Sequence, residues 1–248
     1  MMHDLELRFN VHGFDCGYGG QLRMFSLANY FQEAAGMHAS LLGIGSEHLH
    51  AHGFTWMLSR IDMKVGALPR QGEEVLVRTW PAGNRRLFAQ RCIELIDAGG
   101  MRQAGALYDY IIVDIERRMP VRPEHHLPQN LRLDRPLPYP DLETGIPPSD
   151  FGDPEGFEPV MTLTAGGRHI DHNGHVNNAH FFNWVCEAIP GYPEIQPCRI
   201  RLDFVHEILR GQTIEIRRAC IDYEGKRWRA VILADGMLAA RALLELKE

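Results

Sequence analysis

The sequence is nearly without lysine: of 26 basic residues only Lys64, Lys226 and Lys247 are lysines, and all the others are arginines. There is no basic excess either, because 32 acidic residues leave a net charge of −6. General affinity for nucleic acid or for an anionic membrane surface requires such an excess, so neither partner is expected. Cysteine is sparse: Cys16, Cys92, Cys186, Cys198 and Cys220 are scattered, odd in number and contain no C-x-x-C pair. That argues against a disulfide framework and against a thiolate zinc site. No apolar run approaches the roughly 20 residues of a membrane span. The N-terminus carries charges at once and lacks an apolar core, so no signal peptide is expected. At 45% hydrophobic and 23% charged residues, the chain reads as a globular protein of a reducing compartment, the cytoplasm.

What is present is organised around proline. Ten of the 15 prolines lie between Pro120 and Pro159, a density that neither a helix interior nor a central strand tolerates. Residues 120–160 therefore read as an extended linker running along a surface, between an N-terminal unit (1–119) and a C-terminal unit (161–248). Each unit has one strongly apolar helical segment. In the first, Leu27, Tyr30, Phe31, Ala34, His38 and Leu41 recur at helical spacing from about Met24 to Leu42. In the second, Phe181, Phe182, Val185, Cys186 and Ile189 do the same before Pro190-Gly191 stops the helix. Helices this apolar are expected to be buried, each wrapped by a sheet. Alternating segments follow: residues 74–80, 91–97 and 101–114 in the first unit, and 199–205, 213–218, 229–234 and 238–246 in the second.

The two units resemble a repeat. Ala28-Asn29-Tyr30-Phe31 aligns with Ala179-His180-Phe181-Phe182 at an offset of 151 (179 − 28), and Gly72 with Gly211 at 139 (211 − 72). The expected fold is α+β, two tandem copies of a long helix packed in an antiparallel sheet.

The densest polar stretch is His169-Ile170-Asp171-His172-Asn173-Gly174-His175-Val176-Asn177-Asn178, directly before the second helix, with Asn177 or Asn178 suited to be its N-cap. Backbone amides at a helix start suit a carbonyl oxygen or oxyanion. His175 is a proton carrier near neutral pH, and Asp171 is a potential orienter. Three readings stay open from these residues alone. They are a polar capping turn, a metal site using His169, His172 and His175 with Asp171, and an acid/base site with an oxyanion hole.

Residues 171–178 (DHNGHVNN), continued by Phe182-Asn183-Trp184 and 187–190 (EAIP), resemble the signature of the acyl-acyl-carrier-protein thioesterases of plants and bacteria. The N-terminal unit agrees, with 27–35 (LANYFQEAA), Thr55-Trp56, Thr79-Trp80-Pro81 and 114–123 (DIERRMPVRP) in the family's order. The resemblance spans essentially the whole chain and implies a double hotdog fold. It implies hydrolysis of the fatty acyl-acyl carrier protein thioester, with Asp171, Asn173 and His175 as catalytic residues. A further acidic residue of the family falls at Glu207. Plant members often carry a cysteine next to that glutamate, and here the position is Ile208, so a thiolate mechanism has no nucleophile there.

The expected scheme is direct hydrolysis, with Glu207 and His175 sharing the base role and Asn173 with helix-start amides such as that of Val176 holding the oxyanion. The first unit would shape the acyl pocket, with Phe25, Trp56 and Trp80 as candidate lining residues. No cofactor and no metal are implied. The implied partner is acyl carrier protein, an acidic protein that Arg85-Arg86, Arg117-Arg118, Arg199, Arg201, Arg210 and Arg217-Arg218 would complement. A tandem protein already has the pairing that single hotdogs reach by dimerising, so a homodimer is possible rather than required. The alternatives are a hotdog acyl-CoA thioesterase and a non-catalytic acyl-binding module.

Overall fold

The computed structural model describes residues 4–128, 131, 134–147, 150–151, 153–222 and 224–247. The first unit runs β1 (Leu5–Asn10), α1 (Met24–Leu41), α2 (Ser46–Ala51), β2 (Phe54–Val65), β3 (Glu74–Arg85), β4 (Phe88–Asp97), β5 (Arg102–Asp114) and β6 (Met119–Val121). The second runs β7 (Glu158–Thr164), α3 (Asn178–Glu187), β8 (Pro197–Phe204), β9 (Thr213–Cys220), β10 (Arg227–Ala234) and β11 (Met237–Leu246).

All strands join one antiparallel sheet in the order β1-β3-β4-β5-β2-β8-β11-β10-β9-β7, with β6 paired to β5. Read outward from its middle, each half has the same order, so the sheet is two copies of one unit joined at β2 and β8. The join runs from Arg60 opposite Asp203 to Lys64 opposite Arg199. The expected repeat is present, but the register differs for the helix. Leu22 N–H donates to Pro69 O as Val176 N–H does to Ile208 O, and Val11 bonds Glu73 as Ala165 bonds Gln212. These pairs fix an offset of 154 (176 − 22) ahead of and into the helices, and keep 139 (208 − 69) for the strand side. The sequence alignment of the helices is therefore three residues, nearly one turn, out of step.

Helix α1 begins and ends as its apolar spacing predicts. Met24, Leu27, Ala28, Phe31, Ala34 and Ala35 are buried, and Gly43 (φ 72°) ends the turn after the C-cap Leu42. Phe181, Phe182 and Val185 of α3 share the same core, and the two helices pack against each other inside the curved sheet. In β3 and β4, Val75, Val77, Ile93 and Leu95 face this core, while Trp80 and Cys92 face outward beneath Leu142 of the linker. The sheet also begins earlier in each unit than the sequence suggested. An edge strand, β1 or β7, precedes each helix, and β7 starts within the stretch read as linker.

The linker is a strap across the outer face of the join. Asp62 of β2 is fully buried and accepts the Glu143 N–H at 2.8 Å, while Arg199 of β8 reaches it at 2.6 and 2.9 Å. Thr144 donates to Asp109 at 2.6 Å, and Asp203 accepts the Ile146 N–H at 3.1 Å. Asp62 and Asp203 give the strap's backbone, and Asp109 its Thr144 hydroxyl, the partners that burial demands. Gly105 lies so close beneath it that a Cβ there would sit 2.5 Å from the Pro138 side chain.

Candidate active site

The loop between β7 and α3 is held at both ends. Ile170 bridges Val176, His175 bridges Leu209, and Asp171 N–H donates to His175 O at 2.8 Å. Gly174 (φ 85°) supplies the turn that a side chain would strain. Asp171 folds back on this turn: its Oδ1 accepts the Asn173 N–H at 2.8 Å, and its Oδ2 lies 3.4 Å from Asn173 Nδ2. Asp171 therefore orients Asn173, an Asx turn in the sense of its own backbone bond.

Asn177 is the N-cap of α3, accepting the Ala179 N–H at 2.9 Å. It also ties the loop to the other unit. Gln32 Nε2 donates to Asn177 Oδ1 at 3.1 Å, and Asn177 Nδ2 donates to Asn29 Oδ1 at 3.1 Å, both partners lying on α1. Behind the loop sit His169, His180, Trp184 and Phe25 in mutual ring contact. Burial drives the His180 pKa down to about 4, and burial together with Arg168 lowers that of His169. Both rings are therefore neutral near pH 7.

The predicted pair meets: His175 Nε2 lies 2.9 Å from Glu207 Oε2, with both side chains open to solvent. Ile208 beside it is fully buried. Cys186 is likewise buried, with its thiol pKa pushed far up by desolvation, as expected of a core residue. One expected donor is already used: the Val176 N–H goes to Ile208 O at 2.8 Å. Among the described residues no three His, Cys, Asp or Glu side chains converge as metal ligands.

A cavity of about 910 Å³ lies almost wholly in the first unit, between α1 and the sheet. Its apolar wall includes Ile44, Trp56, Leu58, Leu127 and Leu131, and the loop of the second unit lines it at Asp171, His172 and Asn173. Of the three predicted lining aromatics, Trp56 lines it, with its indole N–H donated to Ile44 O at 2.8 Å. Trp80 does not, because the pleat of β3 turns it to the outer face under Arg135. Phe25 packs between the helices, 4.7 Å from the His180 ring. His175 and Glu207 flank the loop without lining the cavity. Sequence reasoning missed Leu127 and Leu131 and the bridging role of Asn177.

The arginines divide. Arg199 is paired with Asp62, Arg217 with Glu215 and Arg218 with Glu158, and Arg201 bonds the Gly145 carbonyl. These four already have partners within the chain. Arg85 and Arg86 at the β3–β4 turn, Arg117 and Arg118 after β5, and Arg210 remain exposed.

The fold and site together define a tandem hotdog with a partly apolar cavity against the helix of one unit and a polar loop of the other on its lining. This chain belongs to the acyl-ACP thioesterase family: the family's N-terminal domain matches residues 4–129 and its C-terminal domain residues 164–243. A palmitoyl-acyl carrier protein thioesterase of Cuphea hookeriana is 21% identical over 84% of this chain and 52% of its own length. An oleoyl-acyl carrier protein thioesterase of Arabidopsis thaliana is 25% identical over 74% of this chain and 54% of its own. The chain thus spans about half the length of the curated relatives it matches. In structure it is similar to an acyl-ACP thioesterase of Bacteroides thetaiotaomicron, with a TM-score of 0.85 at 24% identity over 99% and 98% of the two chains. The 12:0-ACP thioesterase of Umbellularia californica gives 0.84 at 17% identity over 98% and 97%. Both likenesses carry the fold. Among the described residues no helix is long and apolar enough to cross a membrane.

Proposed function

We propose that this chain hydrolyses the thioester of fatty acyl-acyl carrier protein and releases the free fatty acid in fatty acid biosynthesis, in the cytoplasm. The observation that carries this reading is the cavity of about 910 Å³ whose lining includes Asp171 and Asn173, with the His175–Glu207 pair beside that loop. In the proposed step a water attacks the thioester carbonyl carbon while Glu207 accepts its proton. Being an acceptor only, Glu207 receives the Nε2–H of His175, which orients it. The carbonyl electron pair moves to oxygen, where the Asn173 side-chain N–H, held by Asp171, stabilises it. Collapse breaks the C–S bond, and the proton on the pair passes to the departing thiolate. The acyl chain lies against Trp56, Leu58, Leu127 and Leu131, and the exposed arginines Arg85, Arg86, Arg117, Arg118 and Arg210 dock the acidic carrier.

The test is thiol release from a panel of acyl-carrier-protein thioesters and the matching CoA esters. Glu207→Gln and His175→Ala are expected to lower kcat by about 10²–10⁴-fold. Near wild-type turnover in both refutes the scheme, equal rates on CoA esters remove the carrier from it, and no release on any thioester leaves an acyl-binding module.

A further inference from the structure

The proposed chemistry leaves one buried charge on the cavity wall without a task; Glu33, which also lines the cavity, is exposed. Arg91 of β4 faces α1, lines the cavity and is only 8% exposed. Its Nη1 donates to His38 Nδ1 at 2.9 Å and to Thr79 Oγ1 at 3.1 Å. A guanidinium offers only donors, so His38 accepts through Nδ1 and carries its ring proton on Nε2. Thr79 in turn donates to Cys92 O at 3.0 Å. Both partners of Arg91 are therefore neutral.

Among the described residues no carboxylate lies within ion-pair distance of Arg91. Three of the four buried carboxylates among these residues are ion-paired, Asp62 with Arg199, Glu94 with Arg78 and Arg102, and Asp203 with Arg241, while Asp109 is held by the neutral donors Gln90 and Thr144. Burial lowers the Arg91 pKa, as expected of a cation that has lost water and gained no anion. A wall meant only for methylene groups has no use for such a residue, since a hydrocarbon lying on it completes the desolvation and returns nothing. The Arg91 neighbourhood is polar beyond its own contacts, because Ser40, Asn84 and Tyr110 line the same cavity.

We propose that Arg91 is a specificity-determining residue that favours acyl chains bearing an oxygen acceptor, a hydroxyl or a carboxylate, over the plain chain of the same length. This rests on the thioesterase reading above. Helix α1 gives the position of that oxygen. Gln32 touches the loop through Asn177, whereas His38 touches Arg91, and six residues of helix separate them by about 9 Å. The acceptor therefore lies mid-chain or beyond, not next to the thioester. The unused N–H groups of the guanidinium fork would bind a hydroxyl singly or a carboxylate in pairs.

The experiment compares carrier-protein thioesters of dodecanoate, of hydroxydodecanoates with the hydroxyl beside the thioester, mid-chain or terminal, and of dodecanedioate. The wild type is expected to favour the mid-chain or terminal oxygen over dodecanoyl in kcat/KM by about ten- to hundredfold. Arg91→Met should collapse that ratio, and Arg91→Lys, which keeps the charge without the fork, should leave an intermediate one. The hydroxyl beside the thioester should bring no gain. A wild type that prefers the plain chain, with a ratio that Arg91→Met leaves unmoved, overturns the proposal. Should no thioester be hydrolysed, the catalytic reading fails separately. Calorimetric binding of non-hydrolysable thioether analogues of the same chains to the wild type and both variants then decides the question: equal binding of plain and oxygenated chains overturns it.

Discussion

Asn177 joins the two units at the point where the cavity meets the polar loop, and removing its side chain gives a sharp test of that joint. In Asn177→Ala the cap of α3 is lost, which costs about 1 kcal/mol. The two bonds to Gln32 and Asn29 are lost as well. Each is a neutral hydrogen bond worth about 0.5–1.5 kcal/mol, and water entering from the cavity restores part of it. The sum is about 2–3 kcal/mol. Asn177→Asp keeps the cap and the bond from Gln32 but loses the donor to Asn29, so its cost should be near 1 kcal/mol. Urea unfolding of the three proteins reads these values directly, provided the slope of the transition is unchanged. Turnover should fall in the same order, because Asn173 is oriented by the loop that Asn177 anchors. An Ala variant that loses less than about 0.5 kcal/mol with unaltered turnover would refute both the bridge and its role in holding the loop.

Two further outcomes follow from buried charge. Asp62→Ala leaves Arg199 with only Asp141 as a partner and the Glu143 N–H without its present acceptor, and should cost about 3 kcal/mol, while Asp62→Leu combined with Arg199→Met should recover part of the loss, read by denaturant midpoints. Stability should also fall on acidification between about pH 6.5 and 4. The folded His180 ring has its pKa lowered from 6.5 to about 4, so in that window the unfolded chain binds the extra proton and is favoured. The full effect is about 3 kcal/mol, reduced to about 1–2 kcal/mol by screening at this partly buried site. His169 acts in the same direction. His180→Phe should flatten the curve of Tm against pH over that range, and an unchanged slope would rule His180 out as its source.

The helices were legible because burial on one face leaves a period that short polar interruptions do not erase: α1 ends one residue from its expected boundary. The strands β3 to β5 and β8 to β11 were legible for the same reason at period two. Strand β2 was not, because a bulge between Leu58 and Arg60 breaks its alternation midway. Trp80 was misread although the rule was at hand. Val75, Val77 and Thr79 face inward, so the residue after Thr79 has to face out. The strap was the larger gap. Among its described residues the strap holds no α-helix and no central strand, as proline density predicts, but that density says nothing of which carboxylates in distant strands would receive it, here Asp62 and Asp203 for its backbone and Asp109 for the Thr144 hydroxyl. In the polar loop, residue type pointed to Asp171 and His175, and the family resemblance added Asn173 and, outside the loop, Glu207, yet only the fold reveals that the amide of Val176 is already engaged.

The strap has a consequence for how the molecule behaves on dilution. Two identical half-sheets meeting at β2 and β8 as separate chains would be in equilibrium with their monomers, and their midpoint of unfolding would move with protein concentration. Here the same contact is intramolecular, with an effective concentration set by a tether that is itself pinned over the seam at residues 143–146. The seam is thereby freed from any need to be self-complementary. Each side of it can diverge, one toward enclosing a chain and the other toward holding titratable groups, without the two halves drifting apart.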